Sequence, residues 1–526
     1  MGDEDPGLLE ERADQSAEAG DYATALALRE RAFAGWRAHG DLRRAAYLAA
    51  YQIAFDHLAL FGNQAVAQGW LERGVHLAEE AGECAETGWV ALSRALHTTD
   101  PTGRAELVGE ATRLAKRFAD ADLGFDALAY TGLMLVEEGR VTDGMRHLDE
   151  AAAAARGGEV VSPVVSGEIY CKLLVACETT LDVRRAEEWH PVVAPLGTRP
   201  SQAWASAICR THFAGILVVA GRWEEAEEEL EEALRLYDAS YRALRTAALA
   251  RLAELRVRQG RIRESRELLV GQGLDGYSLR PWARAEWLCA VDAAERSVVA
   301  VQLERALRGH RSSLLAVPTL ALLTDMQVDC GDVSAATSTA RTLAELTTAD
   351  PVDALVGYAR QSNACVAAAS GTGGSAPEVA VTELESAIST FAAAQLPLEA
   401  AVARLRLAEL VHDVDPALAR VEARTAAETF AWLGAKADLD RATGLLRALG
   451  GPARTGVRRT GSLTDREEEV LALVSQGLSN PQIAVRLYIS RKTASHHVSN
   501  VLTKLGVQNR AEAAAWAAAH GVTGRR

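Results

Sequence analysis

The stretch Gly221-Arg-Trp223-Glu-Glu-Ala226-Glu-Glu-Glu-Leu230-Glu-Glu-Ala233 sets a glycine, an aromatic two places on, and alanines five and twelve places on. The same order recurs as Gly20, Tyr22, Ala25, Ala32 and as Gly139, Val141, Gly144, Ala151. Partial copies, in which the twelfth place fails, stand at Gly40/Leu42/Ala45, Gly260/Ile262/Ser265 and Gly331/Val333/Ala336. The pattern has a mechanical reason. Glycine ends one helix in a left-handed turn, the apolar residue starts the next, and small residues let two antiparallel helices approach closely. From Pro6 to Leu449 apolar residues recur at helical spacing, broken by short Gly-Asp, Gly-Arg or Asp-Pro punctuation. The fold class is all-α. The acidic run Glu224–Glu232 keeps Ala226, Leu230, Ala233 and Leu234 on one stripe, so it reads as the solvated outer face of a helix.

This order resembles the second helix of the tetratricopeptide repeat. The first-helix signature is largely missing, and the interval from 221 to 260 exceeds the repeat's usual period of about 34 residues. The expectation is a tetratricopeptide-like superhelix over residues 1–449, since a two-helix unit cannot bury both faces alone and must stack on its neighbours. Its concave side would form a groove for a small-molecule, peptide or protein effector. Trp70, Trp89, Trp189, Trp204, Trp282 and Trp287 either line that groove or plug the core, and the core is expected for more than half. Ser370–Pro377 (Ser-Gly-Thr-Gly-Gly-Ser-Ala-Pro) is either a long inter-helix loop or a subdomain break.

Composition narrows the classes. The 526 residues are 48% hydrophobic and 24% charged, which excludes bulk disorder. Seven scattered cysteines form no Cys-x-x-Cys pair, so neither a disulfide framework nor a thiolate metal site is expected. Only five lysines occur and none follows a glycine, which excludes a Walker A loop. His-Glu-x-x-His and Gly-x-Ser-x-Gly are both missing, and the nine histidines before residue 450 never pair at i, i+4. No catalytic residue, cofactor or metal is therefore expected, and the chain is read as a non-enzyme. The acidic Met-Gly-Asp-Glu-Asp-Pro start and apolar runs no longer than Phe213–Ala220 predict a cytoplasmic protein without a membrane span.

A second domain is read over 463–526, behind a basic, glycine-rich linker at 450–462. Thr464 with Glu467 opens a first helix whose apolar face is Val470, Leu471 and Val474, closed by Gly477. Ser479 with Gln482 caps a second helix, and Leu478 with Ile483 takes the two staple positions. After the short Tyr488-Ile489-Ser490 connection, a third helix runs from Arg491 to about Leu505, and Asn509 with Glu512 opens a fourth. The spacing is that of a helix-turn-helix. Ala494, Val498, Val501 and Leu505 share one face of the third helix, while Lys492, Ser495, His496, Ser499 and Thr503 share the other.

These residues carry a specific resemblance. Leu463-Thr464-x-Arg466-Glu467-x-Glu469-Val470-Leu471, Gly477-Leu478-Ser479-Asn480-x-x-Ile483-Ala484, Ile489-Ser490-x-x-Thr493, His497 and Leu502-x-Lys504-Leu505 resemble the LuxR/FixJ-type C-terminal domain almost throughout. The preceding array is similar to the helical regions of large actinobacterial LuxR-type regulators, without their ATPase module. The resemblance implies transcriptional regulation by a homodimer on an inverted repeat of double-stranded DNA. It implies base contacts from Ser495, His496 and Ser499, phosphate contacts from Arg491, Lys492, Thr493 and Lys504, and dimerisation through Ala513, Trp516 and Ala517 of the fourth helix. Ala494 departs from the family's usual valine, and Ser495 and Ser499 stand where several members carry lysine. The alternative reading is a helical-repeat scaffold or anti-activator that works through protein–protein binding. Charge divides in the manner of a DNA reader: residues 451–526 hold eleven Lys+Arg against five Asp+Glu, so the chain's net charge of −15 splits into +6 there and −21 before it.

Overall fold

The computed structural model describes residues 4–98, 100–271, 278–308, 311–371, 376–450, 465–487, 494, 497–498, 501–502, 505, 507 and 510–519. Among the described residues there is no strand; helices follow one another from Pro6–Glu18 to Arg510–Ala519. The chain divides into two compact units, Met1–Gly451 and Pro452–Arg526.

In the larger unit the glycine phrase behaves as its chemistry requires. Gly20, Gly139 and Gly221 take φ of +84°, +84° and +76°, a region that side chains with a Cβ rarely adopt. Each glycine N–H binds the carbonyl three residues back, and the next N–H reaches five back: Asp21 to Ser16 at 2.8 Å, Arg140 to Leu135 at 2.8 Å and Arg222 to Leu217 at 2.9 Å. This Schellman closure satisfies carbonyls that the helix end would otherwise leave bare. The next helix opens two residues after the glycine in every case, as Tyr22–His39, Val141–Gly157 and Trp223–Asp238. The partial copies close the same way at Gly40, Gly260 and Gly331, and Ala45, Ser265 and Ala336 behind them are fully buried. Losing the twelfth position therefore leaves the turn and the close contact intact.

Small residues at the fifth position set the helix spacing. A Cβ on Gly144 would stand 2.5 Å from the Gly132 carbonyl oxygen and 2.9 Å from the Val136 nitrogen. Val141–Gly157 and Ala121–Glu137 thus pack backbone to backbone. Further hairpins are Ala203–Val219 with Trp223–Asp238, Val317–Asp329 with Val333–Leu346, and Pro397–Val411 with Pro416–Leu433. Asp353–Ala369 and Ala376–Ala393 also form one hairpin, with Gly357 seated against the Phe391 ring, so Ser370–Pro377 joins two paired helices; residues 372–375 lie outside the described set. One continuous apolar cluster runs from Ala17 to Leu446. Fully buried side chains such as Tyr237, Phe391 and Phe430 each stabilise it by about 2–3 kcal/mol.

The array also turns back on itself. Ala203–Val219 touches Pro397–Val411, and Thr246–Arg258 touches Lys436–Ala448. A Cβ on Gly221 would meet Leu433 at 2.6 Å and Pro397 at 3.0 Å. Tyr241 donates to Asp56 Oδ1 at 2.9 Å, and the Thr142 N–H donates to Asp350 Oδ2 at 2.8 Å across 208 residues. Helices far apart in sequence thus pack against one another within the larger unit.

Candidate nucleic-acid interface

In the smaller unit, Asp465–Ser475 buries Val470, Leu471 and Val474 and ends at Gly477, with φ of +79° and the Leu478 N–H on the Leu473 carbonyl at 3.2 Å. The capping expected at Ser479 is present: the Gln482 side-chain oxygen accepts from both the Ser479 N–H and its hydroxyl, each at 2.8 Å. Asn480–Leu487 follows, with Ile483 fully buried and Leu478 packed beside the same core. Ala494, His497, Val498, Val501, Leu502 and Leu505 are helical, and Ala494, Val498 and Val501 are buried in that core with Leu505 at its edge. The face assigned to packing is the face that packs. Ala494 is fully buried, so the position where the family usually has valine lies inside the helix contact.

Arg491, Lys492, Thr493, Ser495, His496, Ser499 and Lys504 all lie outside the described residues, as do the 451–462 part of the linker, Thr464, the Tyr488–Ser490 connection and Asn509. Ala513 and Ala517 on Arg510–Ala519 are buried against the unit's own first helix and core, so their small surfaces are already used within the domain. Trp516 is partly buried on the edge of the same cluster. One residue escaped the sequence reading: Arg510, which donates to Asn480 Oδ1 at 2.9 Å and to the Leu478 carbonyl, tying the fourth helix to the start of the second. A cation placed where a helix opens beside a turn was the available signal.

The array's interior carries its own chemistry. Trp89, Trp204 and Trp287 are buried, and Trp70, Trp189 and Trp282 are partly buried against the apolar clusters, so none of the six stands free in a groove. The polar positions come instead from single charges set in apolar helices. Glu178 of Pro163–Thr180 accepts from Arg251 Nε at 3.0 Å and Nη2 at 2.6 Å, with His212 Nδ1 also 2.6 Å away. Burial opposes ionisation there, but Arg251 and His212 outweigh it and hold the Glu178 carboxyl down to about 2. Gly215 makes the room, since a Cβ there would strike the Glu178 carboxylate and approach Arg251 Nε to 3.0 Å. Farther along, Arg258 meets Glu254 at 2.9 Å, Arg280 meets Glu399 at 3.3 Å, and Arg406 grips Asp325 through two bonds of 2.6 and 2.7 Å. In the first half, Lys172 meets Asp126 at 2.7 Å, and Tyr51 donates to Glu168 at 3.1 Å. A separate surface cleft of about 660 Å³ lies at the turns around Val141, Val183 and Asp353.

Residues 461–517 match the family of bacterial regulatory proteins described as the luxR family. Curated relatives align over the same end of the chain. The transcriptional regulatory protein LnrK of Bacillus subtilis is 48% identical over 61 residues, 12% of this chain and 28% of that protein. The DNA-binding transcriptional activator DevR/DosR of Mycobacterium tuberculosis is 47% identical over 55 residues, 10% and 25% respectively. The response regulator protein VraR of Staphylococcus aureus is 48% identical over 58 residues, 11% and 28%. The chain thus spans about a quarter of the length of the curated relatives it matches. With the capped second helix, the packed face of the third and this match over 57 residues, the C-terminal unit is a LuxR-family helix-turn-helix domain.

Proposed function

We propose that the chain is a transcriptional regulator whose C-terminal domain binds double-stranded promoter DNA and whose helical array senses a small molecule, peptide or protein and controls that binding. The family match, on a domain whose third helix turns Ala494, Val498 and Val501 into the core, carries the reading. Helical periodicity then gives Ser495, His496 and Ser499 to the opposite face, where hydroxyl and imidazole groups suit base edges. Arg491, Lys492, Thr493 and Lys504 take phosphates, which position the domain without reading sequence. The excess of cations at this end and of carboxylates in the array supports the same division of labour. In this reading the protein is a cytoplasmic, non-enzymatic homodimer on an inverted repeat, and its fourth helix pairs through surface other than Ala513 and Ala517.

The test is a gel shift or footprint of the full chain on the promoter beside its own gene, across a salt series. Neutralising Arg491 and Lys492 together removes two phosphate contacts from each protomer of the dimer, so it should weaken binding and flatten the log–log salt slope by about 4. Unchanged affinity and slope in that double variant would refute the assigned docking face.

A further inference from the structure

Five helices bring their polar stripes together in the second half of the array. Thr246–Arg258 contributes Arg251, Glu254 and Arg258; Leu279–Cys289 contributes Arg280 and Arg284; Val317–Asp329 contributes Asp325; Asp353–Ala369 contributes Tyr358; and Pro397–Val411 contributes Glu399 and Arg406. Four of the five arginines have a carboxylate of their own. Arg251 has Glu178, Arg258 has Glu254 with Asp438 farther off at 3.9 Å, Arg280 has Glu399, and Arg406 has Asp325. Arg280 also donates to the Tyr358 hydroxyl at 3.2 Å.

Arg284 is the exception. Its Nε is sealed from solvent without a hydrogen-bond partner, and none of its N–H groups meets an acceptor among the described residues. Its guanidinium faces Arg258 and Arg280, with Asp325 and Glu399 nearby but not paired to it. Burial, with Arg258 and Arg280, pushes its pKa below the ordinary arginine value against the opposing pull of Asp325 and Glu399. Arg284 is only partly buried, so its side chain keeps some accessible surface. A guanidinium presents a planar fork that fits a carboxylate through two parallel bonds.

We propose that Arg284 anchors a binding site inside the array for a small organic acid, held through its carboxylate. This rests on the reading of the array as the sensing half and names the chemistry it senses. Each of the four neighbouring arginines already has a carboxylate, so Arg284 is the one of the five whose planar fork is left for a carboxylate from outside. Filling the site would tie Leu279–Cys289 to the helices that carry Glu254, Asp325 and Glu399, the link through which an effector would act on the rest of the array.

The experiment is a thermal-unfolding titration of the full chain with sodium acetate and sodium benzoate, against equal sodium chloride and sodium phosphate. A saturable rise of about 2 °C or more with a carboxylate over chloride is expected for the native sequence. Arg284→Met should abolish the response and unfold at a higher temperature than the ligand-free native chain, because it removes an unmatched buried cation. Should Arg284→Met not fold, Arg284→Lys serves in its place: it keeps the charge, loses the fork, and should need several-fold more carboxylate for the same shift. A response to phosphate alone, no response to either carboxylate, or an equal response in the Arg284 variants would overturn the proposal. The same samples enter the gel shift. Carboxylate binding without DNA binding would sink the regulator reading and leave the site, while DNA binding without a carboxylate response would do the reverse.

Discussion

Replacing Glu178 by glutamine removes the shared partner of Arg251 and His212 from the interior of the array. Two routes give the size of the effect. Taking one partner from a buried ion pair costs about 3–5 kcal/mol, because the remaining charge is left without compensation. A carboxyl held at about 2 against an ordinary 4.5 corresponds to ~3 kcal/mol of preference for the ionised form in the fold. The routes agree, so Glu178→Gln should destabilise the array by about 3 kcal/mol at pH 7. The sign with pH is fixed as well. A depressed folded pKa contributes stability above the unfolded value and loses it as pH falls, here from 4.5 toward 2. Urea unfolding followed by tryptophan fluorescence at pH 7, 5, 4 and 3 should therefore show the two proteins converging in acid. A difference under about 1 kcal/mol at pH 7, or a gap that stays constant down to pH 3, would refute the reasoning. Glu178→Leu combined with Arg251→Met should recover much of the loss, since replacing both members of a buried pair by apolar groups is often close to neutral.

Two further outcomes are expected. Gly144→Ala puts a methyl 2.5 Å from the Gly132 carbonyl, so despite a helix-propensity gain near 1 kcal/mol it should lower the melting temperature, with a net cost of about 1–3 kcal/mol; an unchanged or raised melting temperature would exclude the backbone-to-backbone packing. Arg510→Ala removes the ties to Asn480 and the Leu478 carbonyl and should weaken DNA binding less than the Arg491/Lys492 double change. Its salt slope should stay close to that of the native chain, because a positioning contact is lost and no phosphate contact; a slope reduced by about 2, one contact from each protomer, would place Arg510 on the DNA instead.

The sequence carried the all-α class and the turn at every repeat because a positive-φ glycine, an apolar starter and a small packing residue are local requirements. Gly20, Gly139 and Gly221 announce themselves without reference to anything distant. The LuxR-type domain was legible for a related reason: its caps and apolar faces crowd into a short stretch, and Ser479 with Gln482 forms the predicted contact. What escaped was set by pairing at long range. Glu178 and Arg251 are 73 residues apart, and each looks like an ordinary charge in a helix until the array brings them together. The signal was present as isolated charges inside apolar runs, such as Lys172 in Ile-Tyr-Cys-Lys-Leu-Leu-Val. Ala513 and Ala517 are buried within the domain, and a stripe of small residues reads alike in sequence for an intradomain contact and for a dimer.

The contacts by which the array folds back bear on how it forms. An open row of repeats behaves as a one-dimensional chain, in which each unit gains stability only from its neighbours and a terminal unit can fray or be trimmed at small cost. Here Gly221 rests on Leu433 and Pro397, and Thr142 is bonded to Asp350. Middle hairpins made early in synthesis must wait for chain made some two hundred residues later before those surfaces are covered. Unfolding should accordingly be cooperative across the array, and removing residues 397–448 should destabilise helices near residue 221 that the cut leaves untouched.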